Sequence, residues 1–219
     1  MKKSGIDFIG IIEKKYGLSE IDAGEFAKFN VGPMKFTVRA YDAKGFGRVS
    51  KMDTTAFFGL MKMQTVIIVP IETDLPLLSY DRIKAMGNDK LYLELYDTLS
   101  GEFEPSKIDD VKKKYASLAD FDAGEHWYDS LRLSQSVFKS AKSKESEKID
   151  GLAEDFFESY LESVCEGSPD ISIKKKKTED YVSGLLKNGG PSTDAMKKRL
   201  GDEKTEKLFE NLLFGTSSD

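Results

Sequence analysis

The alternation of apolar and polar side chains divides the chain into one helix, a run of strands and a run of helices. Phe8, Ile9, Ile12 and Tyr16 fall on one face of a helix over residues 5–16, which Gly17 ends. Residues 18–33 are mixed and close on the turn signal Gly32-Pro33. Residues 34–41 alternate as a strand, residues 42–47 turn, and residues 48–55 form the hairpin partner. Two further strands, 64–71 and 91–96, differ in kind. Val66, Ile67, Ile68 and Val69 are consecutive, which predicts cover on both faces. Leu91, Leu93 and Leu95 alternate with Tyr92, Glu94 and Tyr96, which predicts a half-buried strand or one that lines something. Between them, Pro76 cannot donate to a sheet ladder. The segment 74–81 therefore reads as extended chain dropping into a short helix at 82–86, with Gly87-Asn88-Asp89 as the return turn.

The second half reads as mostly helical. A helix over 104–118 has Pro105 near its start, residues 119–135 look irregular, and 131–139 is a candidate strand. Residues 141–149 are polar and read as exposed. In the helix 150–165, Asp150 is a candidate cap, and Leu152, Phe156, Phe157, Tyr160, Leu161 and Val164 share one face before the stop at 167–169. A polar helix follows from Lys174 to Leu186, then the break Asn188-Gly189-Gly190-Pro191. Helices at 192–200 and 202–214 close the chain, with Asp202 as cap of the second. The fold class is α+β: a three-layer α/β/α sandwich with a central, mostly antiparallel sheet. One domain spans 1–219. Its helix and lead-in occupy 1–33, its sheet 34–97, and its mostly helical part with one further strand 104–219.

Composition narrows the function classes. With one Cys and one His in 219 residues, an intramolecular disulfide and a Cys/His zinc site are both excluded, and the expected compartment is the cytoplasm. A net charge of −5 argues against nucleic acid as the main partner. No run approaches the roughly 20 apolar residues of a membrane helix. There is no Gly-rich phosphate loop, and the surroundings of His126 (AGEHWYDS) match no nucleophile motif. The four lysines 174–177 read as a solvated face, and Met61, Met63, Phe57 and Phe58 as core. Asp81 fits either of two roles, cap of the helix 82–86 or buried acid.

The stretch from Gln64 to Asp81 resembles the ferredoxin-dependent bilin reductases. There, a strand carrying His or Asn is followed by Asp-[Leu/Phe]-Pro-x-[Phe/Leu]-Gly-x-Asp. Asp74-Leu75-Pro76-Leu77-Leu78-Ser79-Tyr80-Asp81 fits without a gap, with Ser79 in place of Gly and Gln64 on the His/Asn position. The segment Glu125-His126-Trp127-Tyr128-Asp129, followed by Val137-Phe138-Lys139, is similar to the family's Glu-Trp-Gly-Asp segment and its Val-Phe-Ile-Arg strand, with Lys139 for Arg. Residues 200–214 resemble the closing helix and its Leu-Phe ending. The red chlorophyll catabolite reductases share this fold, and Val137-Phe138-Lys139-Ser140 is similar to their strand as well. Two family features are missing. Gly189, Gly190 and Pro191 stand where an Asn-Asp-Lys stretch is usual. The family glutamate falls near Met52, and Asp53, one residue off, would lie on the opposite sheet face, so that role is not carried over.

The resemblance implies reduction of a double bond in a linear tetrapyrrole such as biliverdin. The expected elements are no bound metal or flavin, single electrons from reduced ferredoxin or a flavodoxin-like donor, a substrate radical, and protons from side chains. By carry-over, Asp81 is the acid and Gln64 positions it or binds a lactam oxygen. Lys139 meets a propionate, and Tyr80 and Trp127 flank the pocket. A monomer or weak dimer is expected. Two rival readings stay open: a binding protein for a tetrapyrrole or other hydrophobic ligand, and the same fold serving a different small molecule.

Overall fold

A computed structural model describes residues 6–163 and 168–217. Helix α1 (Phe8–Tyr16) is capped by Asp7, whose side chain accepts the Gly10 N–H at 3.1 Å. It precedes seven strands: β1 (Leu18–Ile21), β2 (Lys28–Val31), β3 (Met34–Ala43), β4 (Gly47–Ala56), β5 (Met61–Pro70), β6 (Leu77–Ala85) and β7 (Asn88–Tyr96). Then come α2 (Ser106–Lys114), β8 (Ala119–Asp120), β9 (Val137–Lys142), α3 (Ser146–Glu162), α4 (Ile171–Asn188), α5 (Pro191–Leu200) and α6 (Asp202–Lys207). The strands form one antiparallel sheet in the order β1-β3-β4-β5-β6-β7-β9-β8, with β2 also on β3. The expected α+β class and central antiparallel sheet are observed.

The sheet separates two apolar layers. On one face, Val66, Ile68, Leu78, Tyr80, Leu91, Leu93 and Leu95 meet Phe8 and Ile12 of α1 and Leu152, Phe156 and Phe157 of α3. On the other, Met52, Ile67, Val69, Leu77 and Tyr96 meet Tyr181, Val182, Met196 and Leu212 from the closing helices. This is why β5 has no polar face from Val66 to Pro70: both sides of that stretch are covered.

Several local expectations are corrected. Residues 82–86 are not a helix; β6 runs straight through Asp81 to Ala85 and turns at Met86-Gly87. The alternation is there, Leu77-Ser79-Asp81-Ile83 against Leu78-Tyr80-Arg82-Lys84, but charged residues interrupt both apolar faces. Arg82 is buried by ion pairing. Its Nε and Nη2 donate to Asp89 at 2.9 and 2.7 Å, and Nη1 to Asp150. Asp150 therefore does not cap a helix; it sits inside α3, which begins at Ser146. Residues 18–33 hold two short edge strands. The second half holds two strands rather than one, the short β8 and β9, which begins at Val137 rather than 131.

The four lysines 174–177 are not uniformly solvated. Lys174 is fully buried in α4, and its Nζ donates to Asp74 (3.3 Å), Leu75 O (2.8 Å) and Thr98 O (3.1 Å). A buried ammonium needs such a cage to offset desolvation. Asp202 does not cap the last helix: Gly201 stands at that position, and the helix widens after Lys207 into a π turn over Leu208–Leu213. Val164 and part of the stop at 167–169 lie outside the described residues.

Candidate functional site

The register of the sheet decides which side chains meet. Asp81 pairs with Thr65 on β5 and Tyr92 on β7, and Thr65 pairs with Met52 on β4. Side chains across an antiparallel row share a face, so Met52, Thr65, Asp81 and Tyr92 all point to the layer of the closing helices. A cavity of about 300 Å³ opens there. Its floor is Met52, Thr54, Met63, Asp81, Tyr92 and Glu94; Pro191, Ser192, Ala195 and Met196 roof it, and Ala123, His126 and Tyr128 close one side. A smaller space of about 100 Å³ continues past Ser79 and Glu94 to Tyr96 and Tyr181.

Asp81 is the centre of this floor. Burial takes its carboxyl out of water and pushes it up to about 7; the neighbouring Glu94 charge pushes the same way. The Thr65 hydroxyl donates to Oδ1, and Ser79 Oγ lies 3.5 Å from Oδ2; both work against the rise without cancelling it. Glu94 is raised too, again by desolvation first, and is held back by Arg132, whose Nη1 donates to Oε1 at 3.1 Å. Arg132 also pairs with Asp129 at 3.0 Å and lies over the Phe138 ring at 4.8 Å. The floor thus presents one carboxyl, Asp81, poised to give or take a proton near neutral pH, beside a second, Glu94, that burial also pushes upward. The His126 ring stacks on Tyr128, 4.8 Å between centroids, and its buried Nδ1 finds no hydrogen-bond partner among the described residues.

Of the five residues singled out from the sequence, Asp81 alone lines the cavity. Gln64 lies on the opposite face of β5, where its Nε2 donates to Asp53 at 3.2 Å. The spacing of 17 between Gln64 and Asp81 is one residue too long for a cross-strand pair here; the observed pair, Thr65 and Asp81, is 16 apart. A shift of one residue inverts the face. Tyr80 is likewise on the far side, fully buried against Phe8 at 4.6 Å. Lys139 pairs with Leu91 on that same far face, and its Nζ donates to Leu118 O at 2.9 Å and meets Asp120 at 2.8 Å. Trp127 packs beside Tyr128 and Tyr181 behind the cavity wall, its Nε1 donating to Gly189 O at 2.9 Å. Met52 lies on the cavity floor, and Asp53 points to the opposite face.

Several lining residues had no motif to mark them. Glu94 carried one signal, the Tyr92-Glu94-Tyr96 alternation. Five of the seven methionines, Met34, Met52, Met61, Met63 and Met196, line the cavity. They are scattered in sequence, so their convergence is a tertiary fact. Unbranched thioether side chains make a wall that adapts to the shape of its occupant.

No protein-family model matches the chain, and no curated protein matches it in sequence. Among solved structures, the fold is similar to that of phytochromobilin synthase from tomato in complex with biliverdin. The TM-score is 0.74 at 12% identity, over 95% of this chain and 82% of the other. No described helix is long and apolar enough to cross a membrane.

Proposed function

We propose that the chain is an oxidoreductase that reduces a double bond of a linear tetrapyrrole held between the sheet and α5. The observation that carries this reading is Asp81. A carboxyl pushed up to about 7 faces an apolar cavity, in a fold similar to that of a protein solved with biliverdin. A group with such a pKa still holds its proton near neutral pH and releases it readily, as a general acid must. Saturating one double bond takes two electrons and two protons. In this reading the electrons arrive singly from reduced ferredoxin or a flavodoxin-like donor, and the chain itself carries no cofactor. Asp81 protonates the substrate after the first electron. Glu94, the second carboxyl on the floor, supplies the other proton or reprotonates Asp81. Thr65 positions Asp81 through its hydroxyl. The methionine wall accepts the flat, apolar rings.

A second reading, a binding protein for a hydrophobic small molecule, is favoured by one observation. Among the described residues lining the cavity none is Lys or Arg, so no cation within it meets a propionate. The two readings separate in one experiment. The pure protein is titrated anaerobically with biliverdin, then given reduced ferredoxin with a regenerating system. A saturable absorbance shift that passes through a radical band to a new product, and that stops at the bound spectrum in Asp81→Asn, supports the reductase. A saturable shift without evolution supports the binder. No shift removes bilins from the argument.

A further inference from the structure

The large apolar side chains most exposed to solvent gather at one end of the sheet. Phe57, Phe58 and Leu60 occupy the β4–β5 turn, and Met86 the β6–β7 turn. Met61 pairs with Ala85, so these turns are neighbours. Phe58 is fully exposed and Met86 is 95% exposed. Their backbone is unusual as well. Phe57, Phe58 and Met86 are the non-glycine residues with positive φ among the described residues, at 51°, 57° and 50°. This is the left-handed region that turns normally assign to Gly or Asn. Bulky apolar residues held there at a tip and left largely open to solvent point to an external partner.

Charge identifies the partner. One row behind the tips, Lys35 pairs with Thr55, Thr55 with Lys62, and Lys62 with Lys84. Like charges directly opposite each other in a sheet repel. Lys142 stands one row nearer the tips on β9, opposite Asn88. Two acids lie nearby: Asp53 pairs with Lys51 at 3.0 Å, and Asp89, buried against Arg82, also lies 3.6 Å from Lys84, its partner in that row. With Lys84 offset by Asp89, Lys35 and Lys62 in that row and Lys142 nearer the tips give a chain of net charge −5 a local basic belt under four projecting apolar side chains. Two separate tips projecting from a basic belt match a soft surface, apolar within and anionic outside, that side chains enter to about 5–10 Å.

We propose that the Phe57–Leu60 and Met86 turns insert into the interface of an anionic lipid bilayer, with Lys35 and Lys62 among the headgroups. Met61 and Met63 continue from the inserted turn along β5 to the cavity, so the bilayer would adjoin the cavity's mouth. The inference does not depend on the cavity's substrate.

The test is co-sedimentation of the full chain with vesicles of phosphatidylcholine alone and of phosphatidylcholine with phosphatidylglycerol. Binding to the anionic vesicles is expected. It should weaken on the order of tenfold in Phe57→Ser/Phe58→Ser and in Lys35→Glu/Lys62→Glu, and fall as salt shortens the screening length from about 10 Å to about 3 Å. The variants alter exposed residues, and unchanged circular dichroism verifies folding. Failure to bind either vesicle, or binding the tip variant keeps, overturns the proposal. Tip-dependent retention on immobilised ferredoxin, or tip-dependent self-association, with vesicles ignored, overturns it in favour of a protein interface.

Discussion

Replacing Asp81 with Asn tests the electrostatics of the floor without reference to substrate. Asn keeps the shape of the side chain and an oxygen that can accept from the Thr65 hydroxyl, but it cannot ionise. The wild-type carboxyl moves from 3.8 to about 7 on folding. Between those values the folded chain binds a proton the unfolded chain has released, so wild-type stability falls as pH rises through that window. At about 1.4 kcal/mol per pH unit, the ceiling on the loss is about 4 kcal/mol, complete a little above pH 7. Water entering the cavity lowers it. The assay is urea unfolding of both proteins from about pH 4 to about pH 8, because the difference between them cancels every group they share. Near pH 4 the two should unfold at similar urea. By pH 8 Asp81→Asn should be the more stable by about 2–4 kcal/mol. A variant that is no more stable at pH 8 than at pH 4, relative to wild type, refutes the raised carboxyl and with it the general-acid role.

Thr65→Val removes the hydroxyl that stabilises the Asp81 carboxylate, so the Asp81 titration, followed by carboxyl carbon NMR, should move to higher pH at a stability cost of about 1 kcal/mol; a downward move would contradict the geometry. Lys174→Met leaves Asp74 without its buried ammonium and should cost about 3–5 kcal/mol in urea unfolding, part of which Asp74→Asn in the same chain restores. A loss below about 1 kcal/mol would mean the pair is not buried as described. Gly184→Ala puts a Cβ into the Trp127 ring and should lower stability by about 1–3 kcal/mol while altering Trp127 fluorescence; an unchanged spectrum and melting curve would show that Trp127 does not pack on α4.

Much of the architecture was legible locally, because burial leaves a period in the chain. The unbroken Val66–Val69 run announced a strand covered on both sides, and the Leu91-Leu93-Leu95 alternation announced that Tyr92 and Glu94 face something else. The motif ending at Asp81 picked out the residue that lines the cavity floor. What the chain could not express locally was its register. A strand has two faces, and its own sequence says which residues share one, not which layer that face meets. The one-residue difference between 17 and 16 sends Gln64 to Asp53 and brings Thr65 to Asp81. Alternation likewise puts Tyr80 on the face opposite Asp81, and only packing against Phe8 made that face core. Lys174 read as part of a solvated face because burial of a charge depends on partners far along the chain, Asp74 for Lys174 and Asp150 for the buried Arg82. The sequence by itself determined most of the elements and one acid. The tertiary structure decided the floor around that acid, because cross-strand pairing and long-range ion pairs exist only once the layers have closed.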